Sequence, residues 1–195
     1  MNLPNKLTVL RIFMIPLFLV FFFCPLIPHS YFWAFLTFAL ASLTDMLDGM
    51  IARKYNLVSD FGKLMDPLAD KLLTIAAFVC LLSTWRYEMR VAGLVCLIVI
   101  ISREFAVTSM RLVAAEKGVI LAADKWGKFK TIAQMVWISQ ALLSLSLVSF
   151  GTQSSAQFRG IWAVADLVLF AILMILTVGS GLNYILKNRK LFAQG

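Results

Sequence analysis

The stretch I-W-A-V-A-D-L-V-L-F-A-I-L-M-I-L-T-V-G-S-G-L-N-Y-I-L, residues 161–186, holds a single charged side chain, Asp166. A helix that crosses the hydrocarbon core of a bilayer needs about 20 consecutive apolar residues, and this run exceeds that length. Outward from it, the same reading gives further apolar spans at about 8–28, 31–52, 67–85, 91–112 and 129–150. Polar residues gather at the ends of the spans and do not recur at every second position, which excludes the alternation of a membrane β-barrel. Composition agrees: 61% of the 195 residues are apolar and 14% are charged, where a soluble domain carries about 25% charged residues. The expected fold is an all-α integral membrane protein, a single domain over residues 1–195 with six transmembrane helices in one bundle.

The first span runs past the about 7–15 apolar residues of a signal peptide, and no small-residue cleavage site follows, so it is expected to remain in the mature chain. Pro16 lies inside it, and Pro25 and Pro28 mark its end. An even number of spans puts both termini on one side, and basic residues of short loops stay in the cytoplasm. With cytoplasmic termini, fourteen Lys and Arg residues fall on that side and three, Arg86, Arg90 and Arg159, on the other, Lys71 being left uncounted. The expected location is the cell membrane, with the polar face of the second and third spans toward the cytoplasm. A net charge of +8 concentrated there attracts anionic lipid headgroups and phosphorylated metabolites. Nucleic acid is not an expected partner.

Between these two spans lies the chemistry: D-M-L-D-G-M-I-A-R at residues 45–53, then eight residues, then G-K-L-M-D-P-L-A-D at residues 62–70. Carboxylates at the ends of apolar segments cost several kcal/mol unless paired or bound to a cation, so they are functional candidates. On helices, Asp45 and Asp48 lie about 60° apart and Asp66 and Asp70 about 40° apart, each pair on one face. A short link, Lys54 to Met65, makes the two helices antiparallel neighbours. Four carboxylates in one volume repel, and one or two Mg²⁺ or Mn²⁺ ions resolve the repulsion with oxygen ligands. His29, the only histidine, lies in the opposite, outer turn, so no histidine can serve such a site. Cys24, Cys80 and Cys96 lack ligand spacing and read as small apolar residues. Gly49 and Ala52 leave a trough where a ring or phosphate can approach the backbone, although small residues also pack membrane helices. Arg53 offers a fork of donors suited to a diphosphate. Gly62 permits a tight turn, and Pro67 fits the first turn of the third helix.

A second polar group sits in the fourth and fifth spans. Arg103 and Arg111 lie about 80° apart around one helix, Lys128 and Lys130 open the next, and Glu104 adjoins Arg103. A phosphorylated acceptor needs such cations, Arg above all. The structural alternative pairs Arg103 with Glu104 or Asp124 and uses the lysines to anchor a helix end. Asp166 has no assigned role beyond its place near the outer end of the last span.

The pattern D-x-x-D-G-x-x-A-R-x8-G-x3-D-x3-D, from Asp45 to Asp70, resembles the signature of the CDP-alcohol phosphatidyltransferases at every specified position. That resemblance implies a six-helix membrane transferase, usually a homodimer, which moves a phosphatidyl or related group from a CDP-linked donor to an alcohol and releases CMP. It implies that Asp45, Asp48 and Asp66 are metal ligands, that Asp70 is a further ligand or the general base, and that Gly49, Ala52, Arg53 and Gly62 line the CDP site. The opening N-L-P-N-K-L-T-V-L-R and the segments S-R-E-F-A-V-T-S-M-R and A-D-K-W-G-K-F-K-T are similar to the phosphatidylglycerophosphate synthases of that family. This branch uses CDP-diacylglycerol and glycerol 3-phosphate in phospholipid biosynthesis. Asn5, Thr8 and Arg11, at the start of the first span, could reach the nucleotide, while Asn5 and Thr8 could equally cap the helix. Readings left open are a cardiolipin, phosphatidylserine or phosphoinositol-type synthase of the same family, and an intramembrane divalent-metal transporter. An intramembrane prenyltransferase is disfavoured because its aspartate motifs lie far apart in sequence.

Overall fold

The computed structural model describes residues 3–55, 60–85, 87–116, 118–119, 125–151 and 156–189, with side chains left out at 3–6, 46–55, 60–64, 66–67, 70, 88 and 156–158. Six helices account for nearly all of it: α1 (Leu3–Phe23), α2 (Ser30–Tyr55), α3 (Asp60–Ser83), α4 (Tyr87–Glu116), α5 (Lys125–Ser149) and α6 (Ala156–Asn188). No strand occurs among the described residues. Three of these helices contain stretches long and apolar enough to cross a membrane, Met89–Glu116, Lys125–Ser149 and Arg159–Asn188, and shorter apolar stretches cover Leu7–Phe23 and Lys71–Ser83.

The helices outrun the apolar spans that announced them. The 30 residues of α4 rise about 45 Å at 1.5 Å per residue, against a hydrocarbon core of about 30 Å. Backbone hydrogen bonding continues into polar flanks, where Lys and Arg carry their charges toward water. Two expectations fail for this reason. Gly62 makes no turn, being the third residue of α3, and Pro67 is not in the first turn but the eighth residue of that helix. The first helix, by contrast, stops at Phe23, before the position expected, because Pro25 disfavours helical backbone at Cys24. At the end of α4, Gly118 has φ +72°. Its N–H donates to Ala115 O at 3.0 Å and the Val119 N–H donates to Ala114 O at 2.9 Å, a Schellman close that needs a left-handed residue.

Two compact units are present, Met1–Thr84 with Ile138–Ala163, and Trp85–Trp137 with Val164–Gly195. In the first, α1 packs on both α2 and α3. Phe18 is fully buried with its ring 6.4 Å from that of Phe38. Ala34, Ala41 and Ala77 are fully buried too, and small residues of this kind let membrane helices approach closely. His29, with φ +54°, forms the turn between α1 and α2 and stacks on Phe150 at 4.0 Å. In the second unit, the fully buried Trp137 packs edge-on to Trp85 and against Phe170. Its indole lies beside the carboxyl group of Asp166, inside the same unit.

Candidate active site

The backbone is helical at all four aspartates, Asp45 and Asp48 on α2 and Asp66 and Asp70 on α3. Each pair therefore shares one side of its helix, as the spacing predicted. The side-chain expectations for Asn5, Asp48, Gly49, Ala52, Arg53, Gly62, Asp66 and Asp70 lie outside the described residues. Asp45, Thr8 and Arg11 are described, and Arg11 meets Asp45 between α1 and α2 in the first unit. Arg11 is fully buried, and its Nη1 lies 2.7 Å from Asp45 Oδ1. A guanidinium without solvent needs an anion, and Asp45 supplies it. The Asp45 side chain keeps 35% of its surface exposed, so the pairing with Arg11 leaves it accessible. An accessible carboxylate such as that of Asp45 is the kind of oxygen ligand a hard divalent cation takes. Thr8, one turn before Arg11, is fully buried as well.

In the second unit the cations expected around a phosphate divide. Lys130, 1% exposed, donates from Nζ to Glu104 Oε1 at 2.7 Å and to Gln134 Oε1 at 2.5 Å. Arg103 donates from Nη1 to the same Glu104 oxygen at 3.2 Å. Two cations thus converge on one carboxylate, and the pairing of Arg103 with Glu104 weighed from sequence is present. Arg111 has a partner of its own: its Nε donates to the Tyr184 hydroxyl at 3.2 Å and its guanidinium lies 5.5 Å from the centre of that ring. Lys128 is exposed. Arg103 also lines a cavity of about 270 Å³ between α4 and α6, whose walls are otherwise mostly apolar, including Val99, Val107, Val178, Leu182 and Ile185.

An α-helical pair of aspartate turns, an oxygen-only donor set and a basic cluster invite comparison with known proteins, and the model of the CDP-alcohol phosphatidyltransferase family matches residues 1–182. The chain belongs to that family. Among relatives of this phosphatidyltransferase is the CDP-diacylglycerol–glycerol-3-phosphate 3-phosphatidyltransferase of Bacillus subtilis, 42% identical, with 96% of this chain and 95% of the relative covered. Proteins bearing the same name in Rickettsia bellii and Haemophilus influenzae are 37% and 33% identical, covering 98% and 94% of this chain and 97% and 91% of theirs. CDP-alcohol phosphatidyltransferases use divalent metal ions, in keeping with the carboxylate donors.

Sequence reasoning did not foresee the residues that organise the second cluster of this phosphatidyltransferase. The sequence offers Glu104 as a partner for Arg103 alone, whereas it also binds Lys130 across 26 positions. Gln134 could have been found, since it follows Lys130 by one helical turn. Tyr184 carried no local signal.

Proposed function

We propose that this chain transfers the phosphatidyl group of CDP-diacylglycerol to the primary hydroxyl of sn-glycerol 3-phosphate, giving phosphatidylglycerophosphate and CMP. The observation that carries this reading is the run of relatives, 33–42% identical over nearly their whole length, named for that reaction. The family match crosses both compact units, which supports a single catalytic domain over residues 1–195. The long apolar stretches of α4, α5 and α6 and the distribution of Lys and Arg support six transmembrane helices, cytoplasmic termini and an active site facing the cytoplasm. A homodimer is part of the proposal.

Asp45, Asp48, Asp66 and Asp70 are the residues to hold one or two Mg²⁺ or Mn²⁺ ions, which would supply positive charge against the diphosphate of the donor. Arg11 balances the charge of Asp45 from the α1 side and orients its carboxylate. Gly49, Ala52, Arg53 and Gly62, with Asn5, Thr8 and Arg11, border the CDP moiety, Arg53 giving its fork of donors to a phosphate. Arg103 and Arg111, with Lys128 and Lys130, receive the phosphate of the acceptor. Its hydroxyl oxygen bonds to the β-phosphorus as the bond to the bridging oxygen breaks. CMP leaves with that oxygen, and Asp70 takes the hydroxyl proton. Asp70 can serve instead as a further metal ligand. In the second unit, Glu104 balances one of its two cations, leaving net positive charge for a phosphate dianion.

The test is acceptor choice. Purified protein with CDP-diacylglycerol and Mg²⁺ is offered glycerol 3-phosphate, serine, myo-inositol, inositol phosphate and phosphatidylglycerol separately, with lipid product and CMP measured. Product from glycerol 3-phosphate alone is the expected result, and product only from another acceptor would move the chain to a different branch of the family.

A further inference from the structure

Arg103 runs along a slot floored by two glycines from two other helices. A Cβ built on Gly181 of α6 would stand 3.0 Å from Arg103 Cγ and 3.9 Å from its Cβ, and one built on Gly127 of α5 would stand 3.3 Å from Arg103 Nη2. Apart from their own helices and chain neighbours, no other heavy atom of the described residues lies within 4 Å of either position. Glycines that exist for helix packing would meet the backbone of a neighbouring helix, whereas these two meet only one arginine. Gly160 and Gly179, also in α6, have nothing within 4 Å.

Between the glycines the guanidinium is fixed. Arg103 Nη1 bonds Glu104, its Nε is buried with no hydrogen-bond partner among the described residues, and the side chain is 12% exposed. A long side chain ordinarily samples many rotamers, and confining it before the ligand arrives removes that cost from binding. The ammonium of Lys130, 2.7 Å from the Glu104 oxygen that Arg103 also bonds, lies within about 6 Å of Nη1, close enough for one phosphate to be shared by both cations.

We propose that Gly181 and Gly127 are positioning residues for acceptor recognition: they form the slot that holds the Arg103 guanidinium ready for the phosphate of glycerol 3-phosphate. The proposal rests on the reading of Arg103 as a phosphate ligand. The two ends of the slot differ in leverage. Cγ is one torsion from the backbone, so the few tenths of an ångström it must yield to a methyl at 181 turn χ1 and are magnified at the guanidinium, while a methyl at 127 meets only the far, adjustable end.

The experiment measures initial rates for Gly181→Ala, Gly127→Ala, Gly179→Ala and Arg103→Ala, each against glycerol 3-phosphate and against CDP-diacylglycerol. Gly181→Ala is expected to raise KM for glycerol 3-phosphate about tenfold, the scale on which small misplacements of a binding group are felt, with KM for CDP-diacylglycerol within about twofold of the parent. Gly127→Ala is expected to shift the same constant less, and Gly179→Ala to leave it unchanged. In the Arg103→Ala background, Gly181→Ala is expected to add nothing, because the group it displaces is gone. If Gly181→Ala does not fold, Arg103→Ala is expected to restore folding by clearing the slot. An unchanged KM in Gly181→Ala, an effect that persists without Arg103, or failure of that rescue overturns the proposal while leaving the phosphate reading intact. An unchanged KM in Arg103→Ala itself overturns the phosphate reading, and the slot with it.

Discussion

Truncating Glu104 to Ala is expected to destabilise the protein far more than truncating the lysine it binds. Deleting one partner of a buried ion pair costs about 3–5 kcal/mol. Glu104 keeps 25% of its side chain exposed, which moves the pair toward the lower end, but Lys130 is only 2% exposed and Arg103 shares the same oxygen. Two cations therefore lose one carboxylate together, while Gln134 Oε1 still accepts from Lys130. The estimate for Glu104→Ala is about 3 kcal/mol. Lys130→Met removes the buried charge itself and leaves Glu104 with Arg103 and part of its solvent contact, at about 1 kcal/mol. The double variant is expected to lose less than Glu104→Ala alone, since the most buried stranded charge is gone. Thermal unfolding in one detergent reads the series. At about 2–4 °C per kcal/mol for a chain of this size, Tm falls by about 6–12 °C in Glu104→Ala and about 2–4 °C in Lys130→Met. Equal losses in the two single variants, or a double variant worse than Glu104→Ala, would refute the assignment of Glu104 as the shared counter-ion.

Three further outcomes are expected. Phe18→Ala should lose about 2 kcal/mol, because lipid replaces much of the transfer term and the cavity term of about 24 cal/mol per Å³ remains; thermal unfolding checks it, and an unchanged Tm would contradict the packing on Phe38. Asp70→Asn should keep the Tm of the parent while kcat for CMP release drops by about 10²–10⁴-fold, and robust turnover in the folded variant would remove Asp70 as the base. Treatment with EDTA should stop CMP release, with recovery on adding Mg²⁺ or Mn²⁺, and activity that survives thorough chelation would argue against a carboxylate-held ion.

The helices were legible because lipid imposes the rule that produces them: backbone polar groups must be satisfied within the segment, so each apolar run becomes a helix. Their ends were not, since hydropathy marks the part immersed in hydrocarbon and says nothing about where hydrogen bonding continues into polar sequence. Asp60 and Gly62, read as a loop and lying in α3, show the gap. Within the candidate site, the faces shared by Asp45 with Asp48 and Asp66 with Asp70 followed from helical periodicity alone. The pairing of Arg11 with Asp45 did not, because it joins positions 34 apart in sequence, and Arg11 had been read as a nucleotide contact. The slot at Arg103 is less legible still. Its glycines matter only through a side chain on another helix, and no one-dimensional spacing records that.

Arg11 with Asp45 and Lys130 with Glu104 raise the same energetic question in separate parts of the chain. A buried ion pair contributes little stability compared with well-packed apolar residues of similar volume, and lipid on the far side of the helices makes apolar replacements easy to accommodate. Stability alone therefore does not explain why a fully buried Arg11 or a nearly buried Lys130 is present. Charge in the right state does. Arg11 gives Asp45 a counter-charge at 2.7 Å while leaving its carboxylate accessible, and an accessible carboxylate oxygen is what a hard divalent cation takes as a ligand. Glu104 does the converse for Lys130 and Arg103: it makes two buried cations tolerable and neutralises only one of them. The surplus positive charge is what a phosphate dianion would need, and the same reasoning makes Glu104 a residue whose loss harms folding before it changes chemistry.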